Sequence, residues 1–457
     1  MECITKLPSN ENETDSLLMT FGSMVLHDQE NQVPQEFVWP DHQKPSPNVP
    51  ILQVPLIDLA GFLSDDPFLV SEATRLVAEG AKKHGFFLVT NHGVDEGLLS
   101  SAYTSMDKFF LSPTSEKQKA QGEWRESWGY ANSYFGKDKK NLPWKEMLSF
   151  SFSPEEKTDN HSQIVKDFII EKLGDEYNDF GRVYQEYAEA MSNLSLKIME
   201  LLGMSLGLNR SHFQDFFEDN ESILRLNYYP KCKQPDVVLG TGPHCDPTSL
   251  TILQQDHVSG LQVLVDNQWH SVPPNPDALV VNIGDTFRAL TNGIYKSSLH
   301  QAVVNSETER KTIAFFLSPK VDKVVKPPEE LEGERVYPDF TWSILHEFVK
   351  KHYKTDENTL EEFTKWLKKG GNALTNGIYK SSLHQAVVNS ETERKTIAFF
   401  LSPKVDKVVK PPEELEGERV YPDFTWSMLH DFVKKHYKTD ENTLEEFTKW
   451  LKKAGNV

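Results

Sequence analysis

The spacing of apolar and polar positions divides the chain into a mainly helical first half and a strand-rich second half. Residues 54–63, VPLIDLAGFL, read as a strand. Ser64-Asp65-Asp66-Pro67 follows, supplying capping residues and a proline suited to a first helical turn. Leu69, Ala73, Leu76, Val77 and Ala81 then recur at helical spacing, and the stripe ends near His84-Gly85. Phe86–Thr90 is a short apolar strand, and a second helix is expected over 96–111, before Pro113. Tyr184, Tyr187, Met191, Leu194, Ile198 and Leu201 mark the buried face of a longer helix over 181–206.

From Ser222 the period shortens. The runs ILRLNYY, LTILQ, LQVLV, QWHSV, ALVVNI, HQAVV and TIAFFL are bounded by Gly, Pro, Asn and Asp, the pattern of a β-sandwich or jelly roll. Asp266-Asn267 is a two-residue link between alternating runs, a hairpin signal. Helical patterning returns in TWSILHEFVKKHY and TLEEFTKWLKK. The expected fold class is α+β, with helices before a jelly-roll core and short helices after it.

An internal repeat changes the count of domains. Residues 289–372 return as residues 373–456 at an offset of 84, with 81 of 84 positions identical. The differences are Ile344/Met428, Glu347/Asp431 and Gly370/Ala454. Two near-identical copies of a non-repeating segment are not a solenoid, which needs several divergent units. One copy removed leaves 373 residues. The expected organisation is a polar, partly disordered arm (1–50), a mainly helical N-terminal region (51–220), the strand-rich core with its C-terminal helices (221–372), and the duplicate (373–457).

Charge and cysteines narrow the setting. A net charge of −19 argues against a nucleic-acid partner, which demands clustered positive charge. Three cysteines, Cys3, Cys232 and Cys245, argue against a disulfide scaffold and for a reducing, cytoplasmic location. No secretory signal and no long apolar run is present, so no membrane partner is expected.

The chemistry-bearing pattern begins at Gly242-Pro243-His244-Cys245-Asp246, where an imidazole and a carboxylate two residues apart share one face of a strand. His300 lies 56 residues after His244 in SSLHQAVV, inside a predicted strand. Two histidines and one carboxylate form the facial triad of non-haem Fe(II) oxygenases, which leaves metal positions open. Arg310 and Thr312 follow, a guanidinium and a hydroxyl two apart on a strand, suited to a small carboxylate. Cys245 faces away from the ligands and reads as a small buried side chain.

With these residues in place the chain resembles the plant 2-oxoglutarate- and Fe(II)-dependent dioxygenases. The family's H-x-D, distal His and R-x-S/T correspond to His244/Asp246, His300 and Arg310/Thr312, with Thr312 where Ser is commoner. Its N-Y-Y-P segment is present from Asn227 to Pro230, and HGFFLVTNHGV matches its N-terminal region. The resemblance implies Fe(II) on His244, Asp246 and His300. It also implies 2-oxoglutarate held by Asn227, Tyr229, Arg310 and Thr312, dioxygen as co-substrate, and ascorbate as a supporting reductant. Leu142-Pro-Trp-Lys-Glu146, LNYYPKC and TGPHCDPTSLTILQQD are similar to the gibberellin 20-oxidases, and the duplicate-free length suits that group.

That closer likeness implies oxidation of gibberellin precursors, diterpenoid acids, at carbon-20. It points to Trp144 and Lys145 as a pocket wall and an anchor; core packing for Trp144 and a solvated Lys145 remain the alternatives. The competing functions are another dioxygenase of this family with a different small apolar substrate, and an inactive product of the duplication. Copy two carries His384, Arg394 and Thr396 but no second Asn227–Asp246 half-site, so one complete site per chain is expected, built from copy one. The chain is expected to act as a monomer, with a risk of domain swapping through the unpartnered strands of copy two.

Overall fold

The computed structural model describes residues 23, 25–27, 32–46, 48–122, 128–132, 140–154, 163–331, 333–352, 359–369, 398, 400–410, 421–436 and 443–453. The chain separates into two compact units, Met1–Leu360 and Glu361–Val457.

The first unit is built on two main sheets and one two-stranded sheet. In chain order its strands are β1 (Leu56–Asp58), β2 (Phe86–Thr90), β3 (Gly129–Asn132), β4 (Glu146–Phe152), β5 (Ser222–Tyr229), β6 (Thr241–His244), β7 (Leu250–Gln255), β8 (Leu261–Val265), β9 (Gln268–Val272), β10 (Leu279–Ile283), β11 (His300–Ala302), β12 (Arg310–Leu317), β13 (Val324–Val325) and β14 (Phe340–Thr341). The major sheet runs β1-β2-β10-β7-β12-β5-β4-β3 and the minor sheet β6-β11-β8-β9. This is the expected α+β jelly roll.

Local chemistry explains the elements. The Asp66 carboxylate accepts the amides of Phe68 and Leu69 and so caps the helix Pro67–Lys83, whose first residue is the proline. That helix stops where Gly85 takes a φ of 74°. Asp266 and Asn267 both adopt positive φ, 50° and 61°, the geometry of a type I′ turn between β8 and β9. The long helix Asn178–Ser205 buries Tyr184, Tyr187, Met191, Leu194, Ile198 and Leu201 as its spacing predicted.

Three expectations are corrected. VPLIDLAGFL is not one strand: β1 covers only Leu56–Asp58, and Ala60–Leu63 is helical. The Asp58 carboxylate accepts the amide of Ala60, diverting the chain from extended geometry. HQAVV gives a strand of only three residues, His300–Ala302, with a register shift against β6. The segment before residue 50 is also more than a polar arm. Leu26, Phe37 and Trp39 are buried, and the Trp39 amide donates to the carbonyl of Val237. Phe37 meets Trp144 edge-on at 5.0 Å between ring centres.

Candidate metal centre and active-site cavity

β6 and β11 are antiparallel neighbours with His300 opposite His244. Asp246 lies two residues past the end of β6, so strand alternation does not by itself place it beside His244. The chain turn holds it there instead, because the Asp246 carbonyl accepts the amide of Asp285. His244 Nε2 is then 3.6 Å from Asp246 Oδ1, and His300 Nε2 is 3.7 Å from the same oxygen.

Donor roles follow from the partners. His244 Nδ1 lies 2.9 Å from the Gly242 carbonyl, and His300 Nδ1 lies 3.2 Å from the Ser298 carbonyl. A carbonyl only accepts, so each Nδ1 carries a proton and Nε2 is the nitrogen left to face a metal. Burial, reinforced by the neighbouring His300, pushes His244 well below the usual imidazole range, so it is the neutral, ligating form. Burial opposes the charge of Asp246. The two imidazoles, Thr251 and Asn282 outweigh that and hold its carboxyl below the usual range. Thr251 Oγ1 and Asn282 Nδ2 donate to Asp246 Oδ2 at 2.6 Å and 2.8 Å, leaving Oδ1 facing the histidines. Two imidazole nitrogens and one carboxylate, all within 4.8 Å of one another, fit a divalent iron ion.

Asn282 and Thr251 are functional residues that motif spacing missed. Asn282→Ala removes one of the two donors that orient Asp246. We expect Fe(II) affinity to fall roughly 10–100-fold, read by titrating metal into metal-free protein.

The triad opens into a cavity of about 410 Å³ lined also by Asn227, Tyr229, Arg310 and Thr312. Pairing of β12 with β5 sets Arg310 opposite Tyr229 and Thr312 opposite Asn227. Arg310 is 2% exposed; Gln255 Oε1 accepts from its Nη2 at 2.8 Å and the Val258 carbonyl from its Nε at 3.2 Å. The guanidinium also lies 5.3 Å from the centre of the Tyr229 ring. Gly260 makes room for it: a Cβ there would fall 2.8 Å from Cδ and Nε of Arg310. Asn227 Nδ2 donates to Thr312 Oγ1 at 3.2 Å, so the threonine hydroxyl proton is directed elsewhere. A fixed guanidinium and an orientable hydroxyl on the wall of the metal cavity fit the carboxylate of 2-oxoglutarate.

The segment Leu142–Glu146 alternates in its surroundings. Pro143 and Lys145 line the cavity, whereas Trp144 does not. Trp144 is buried beside Phe37 and donates from Nε1 to the Pro230 carbonyl at 3.1 Å. The expected pocket wall is therefore a core residue, because buried indoles need both apolar neighbours and an acceptor for the N–H. Lys145 Nζ donates to Thr241 Oγ1 at 3.1 Å, and burial, with Arg225 nearby, pulls it down to about 7. Glu146 is fully buried and pairs with Lys117 at 2.7 Å, while Ser23 donates to its second oxygen. His384, Arg394 and Thr396 lie outside the described residues.

Comparison with known proteins agrees with this geometry. Residues 220–319 match the 2OG-Fe(II) oxygenase superfamily, and residues 54–168 match the N-terminal region of the non-haem dioxygenases of morphine synthesis. Gibberellin 20 oxidase 4 of Arabidopsis thaliana is 73% identical over 374 residues, covering 81% of this chain and 100% of that protein. The chain belongs to the 2OG-Fe(II) oxygenase superfamily. Gibberellin 20 oxidase 3 of the same plant is 67% identical, over 80% of this chain and 98% of its own length. Among solved structures, JOX2 in complex with 2OG, Fe and JA is 32% identical, with a TM-score of 0.65 over 75% of this chain and 97% of that one. This oxygenase is thus a dioxygenase using Fe(II) and 2-oxoglutarate. Among the described residues no helix is long and apolar enough to cross a membrane.

Proposed function

We propose that this dioxygenase oxidises gibberellin precursors at carbon-20, with the metal on His244, Asp246 and His300 of copy one. The full-length match to gibberellin 20 oxidase 4 carries the reading. The cavity supports it, because Met147, Leu253, Leu261, Ala314 and Phe316 offer an apolar lining to a polycyclic body.

Bound here, Fe(II) and 2-oxoglutarate supply the oxidising power through decarboxylation of 2-oxoglutarate to succinate with dioxygen. The chain's own residues orient and shield. Thr251 and Asn282 keep Asp246 ionised and turned toward the histidines. The Gly242 and Ser298 carbonyls fix the two imidazole tautomers. Arg310 and Thr312, on the wall of the same cavity, would take the far carboxylate of 2-oxoglutarate. Two buried free thiols, Cys232 and Cys245, accord with a cytoplasmic enzyme, which we take to work as a monomer.

The test is succinate release and product analysis with Fe(II), ascorbate and a panel of gibberellin precursors. Precursor-dependent succinate with loss or oxidation of carbon-20 is expected. Turnover of an unrelated acid with no response to any precursor overturns the reading.

A further inference from the structure

One cavity-lining side chain comes from outside both family-matched regions. Trp39 lines the cavity, yet it lies outside the matches at 54–168 and 220–319. Its segment is fixed at several points. The Trp39 amide donates to the Val237 carbonyl at 2.9 Å, and the Glu36 carbonyl accepts the amide of Leu142 at 2.9 Å. Phe37 is buried in a cluster with Leu142, Trp144, Tyr229 and Ala302.

β6 leaves room for the Trp39 ring at Gly242. A Cβ there would fall 2.2 Å from Cη2 and 3.0 Å from Cζ2 and Cζ3 of Trp39, so the outer ring of the indole occupies the space a side chain would take. Gly242 also lines the cavity, and it precedes the metal ligand His244 by two strand residues, about 7 Å along β6. An aromatic surface is thus supplied where the metal-bearing strand has no side chain of its own.

The indole N–H bears on the role of that surface. Trp39 is 2% exposed, and its Nε1 is buried with no hydrogen-bond partner among the described residues. Burying such a donor costs free energy that a phenylalanine would avoid. Trp144 is the contrast, because its Nε1 donates to the Pro230 carbonyl and it does not line the cavity. With the N–H unpaired, what position 39 gains from tryptophan is the reach of the outer ring. A rigid apolar surface beside a metal ligand limits how far a polycyclic body can extend on that side.

We propose that Trp39 is a specificity-determining residue, whose outer ring meets the ring system of the diterpenoid acid and sets the size limit of the cavity beside His244. This inference rests on the proposed function for the substrate class. The segment around Trp39 then belongs to the substrate site as well as to the core.

The experiment uses the full chain loaded with Fe(II) and 2-oxoglutarate, as wild type, Trp39→Phe and Trp39→Ala. Calorimetry measures binding of a tetracyclic gibberellin-precursor acid and of analogues that each carry one added ethyl group at a different ring carbon. Surplus carbon in a closed apolar pocket is rejected steeply, so at least one analogue should bind wild type about 10-fold or more below the parent. That analogue should bind Trp39→Ala as well as the parent does, with Trp39→Phe between the two. Fe(II) affinity by metal titration, and 2-oxoglutarate affinity, should stay within about twofold, because no ligand or orienting donor is removed. Parent and analogues weakened by one common factor, or Fe(II) affinity falling with them, would mark Trp39 as packing for β6 and overturn the proposal. Should the alanine variant not fold, Trp39→Phe decides alone, and an unchanged ranking of analogues in it overturns the proposal. A wild type that binds no precursor removes the substrate class and the proposal together. Size selection by Trp39 without oxidation at carbon-20 leaves the wall standing and removes the proposed reaction instead.

Discussion

His300→Ala should abolish precursor-dependent succinate release, and His384→Ala should leave it intact. The two histidines occupy equivalent positions in the duplicated segments, and their chain contexts are nearly identical. Among the described residues, His300 is the histidine that stands opposite His244 on a paired strand, with its Nε2 beside Asp246. Three protein ligands leave no redundancy, so removal of one should cost more than the 10–100-fold typical of residues that merely orient ligands; a loss above about 100-fold is expected. Metal content measured on both variants separates loss of iron from loss of fold. Activity lost from His384→Ala alone would transfer the site to copy two.

Arg310→Gln should raise the KM for 2-oxoglutarate by at least about 100-fold. A buried guanidinium contributes charge-assisted hydrogen bonds worth about 1.5–3 kcal/mol each, and two such bonds span that range. The side chain is almost wholly enclosed by Gln255, Val258 and Tyr229, so no neighbouring cation can take its place cheaply. The measurement is a 2-oxoglutarate titration at saturating precursor. Arg310→Lys should recover little, because an ammonium cannot reproduce the fork held by Gln255 and Val258. A KM within threefold of wild type would remove Arg310 from the 2-oxoglutarate seat.

Much of the site could be read from spacing because its parts are strand-borne. Arg310 and Thr312, or Asn227 and Tyr229, lie two apart, and the pleat carries each pair to one face. Thr251 and Asn282 sit on other strands of the major sheet, and only sheet order brings them to Asp246. Trp39 and Phe37 escaped for another reason: isolated aromatics in a polar segment have no period to betray burial. The hairpin at Asp266-Asn267 was the easiest feature, since two left-handed residues in sequence leave the chain little choice.

The duplicated end offers a natural control on what a sequence carries with it. In the first copy Val324 pairs with Thr341 and Val325 with Phe340, ahead of the helix Trp342–His352. In the second, Val408 pairs with Thr425 and Val409 with Phe424, ahead of the helix Trp426–His436. That hairpin and helix also close a small core of their own with Phe432 and Phe447. Leu317 is buried in β12, whereas its counterpart Leu401 is 90% exposed, and Phe400 beside it is 84% exposed. The hairpin and helix that recur are specified by local sequence, whereas a strand such as β12 also needs its distant neighbours β5 and β7. For the history of such chains, duplication at this end is an inexpensive source of new modules and a poor source of new active sites.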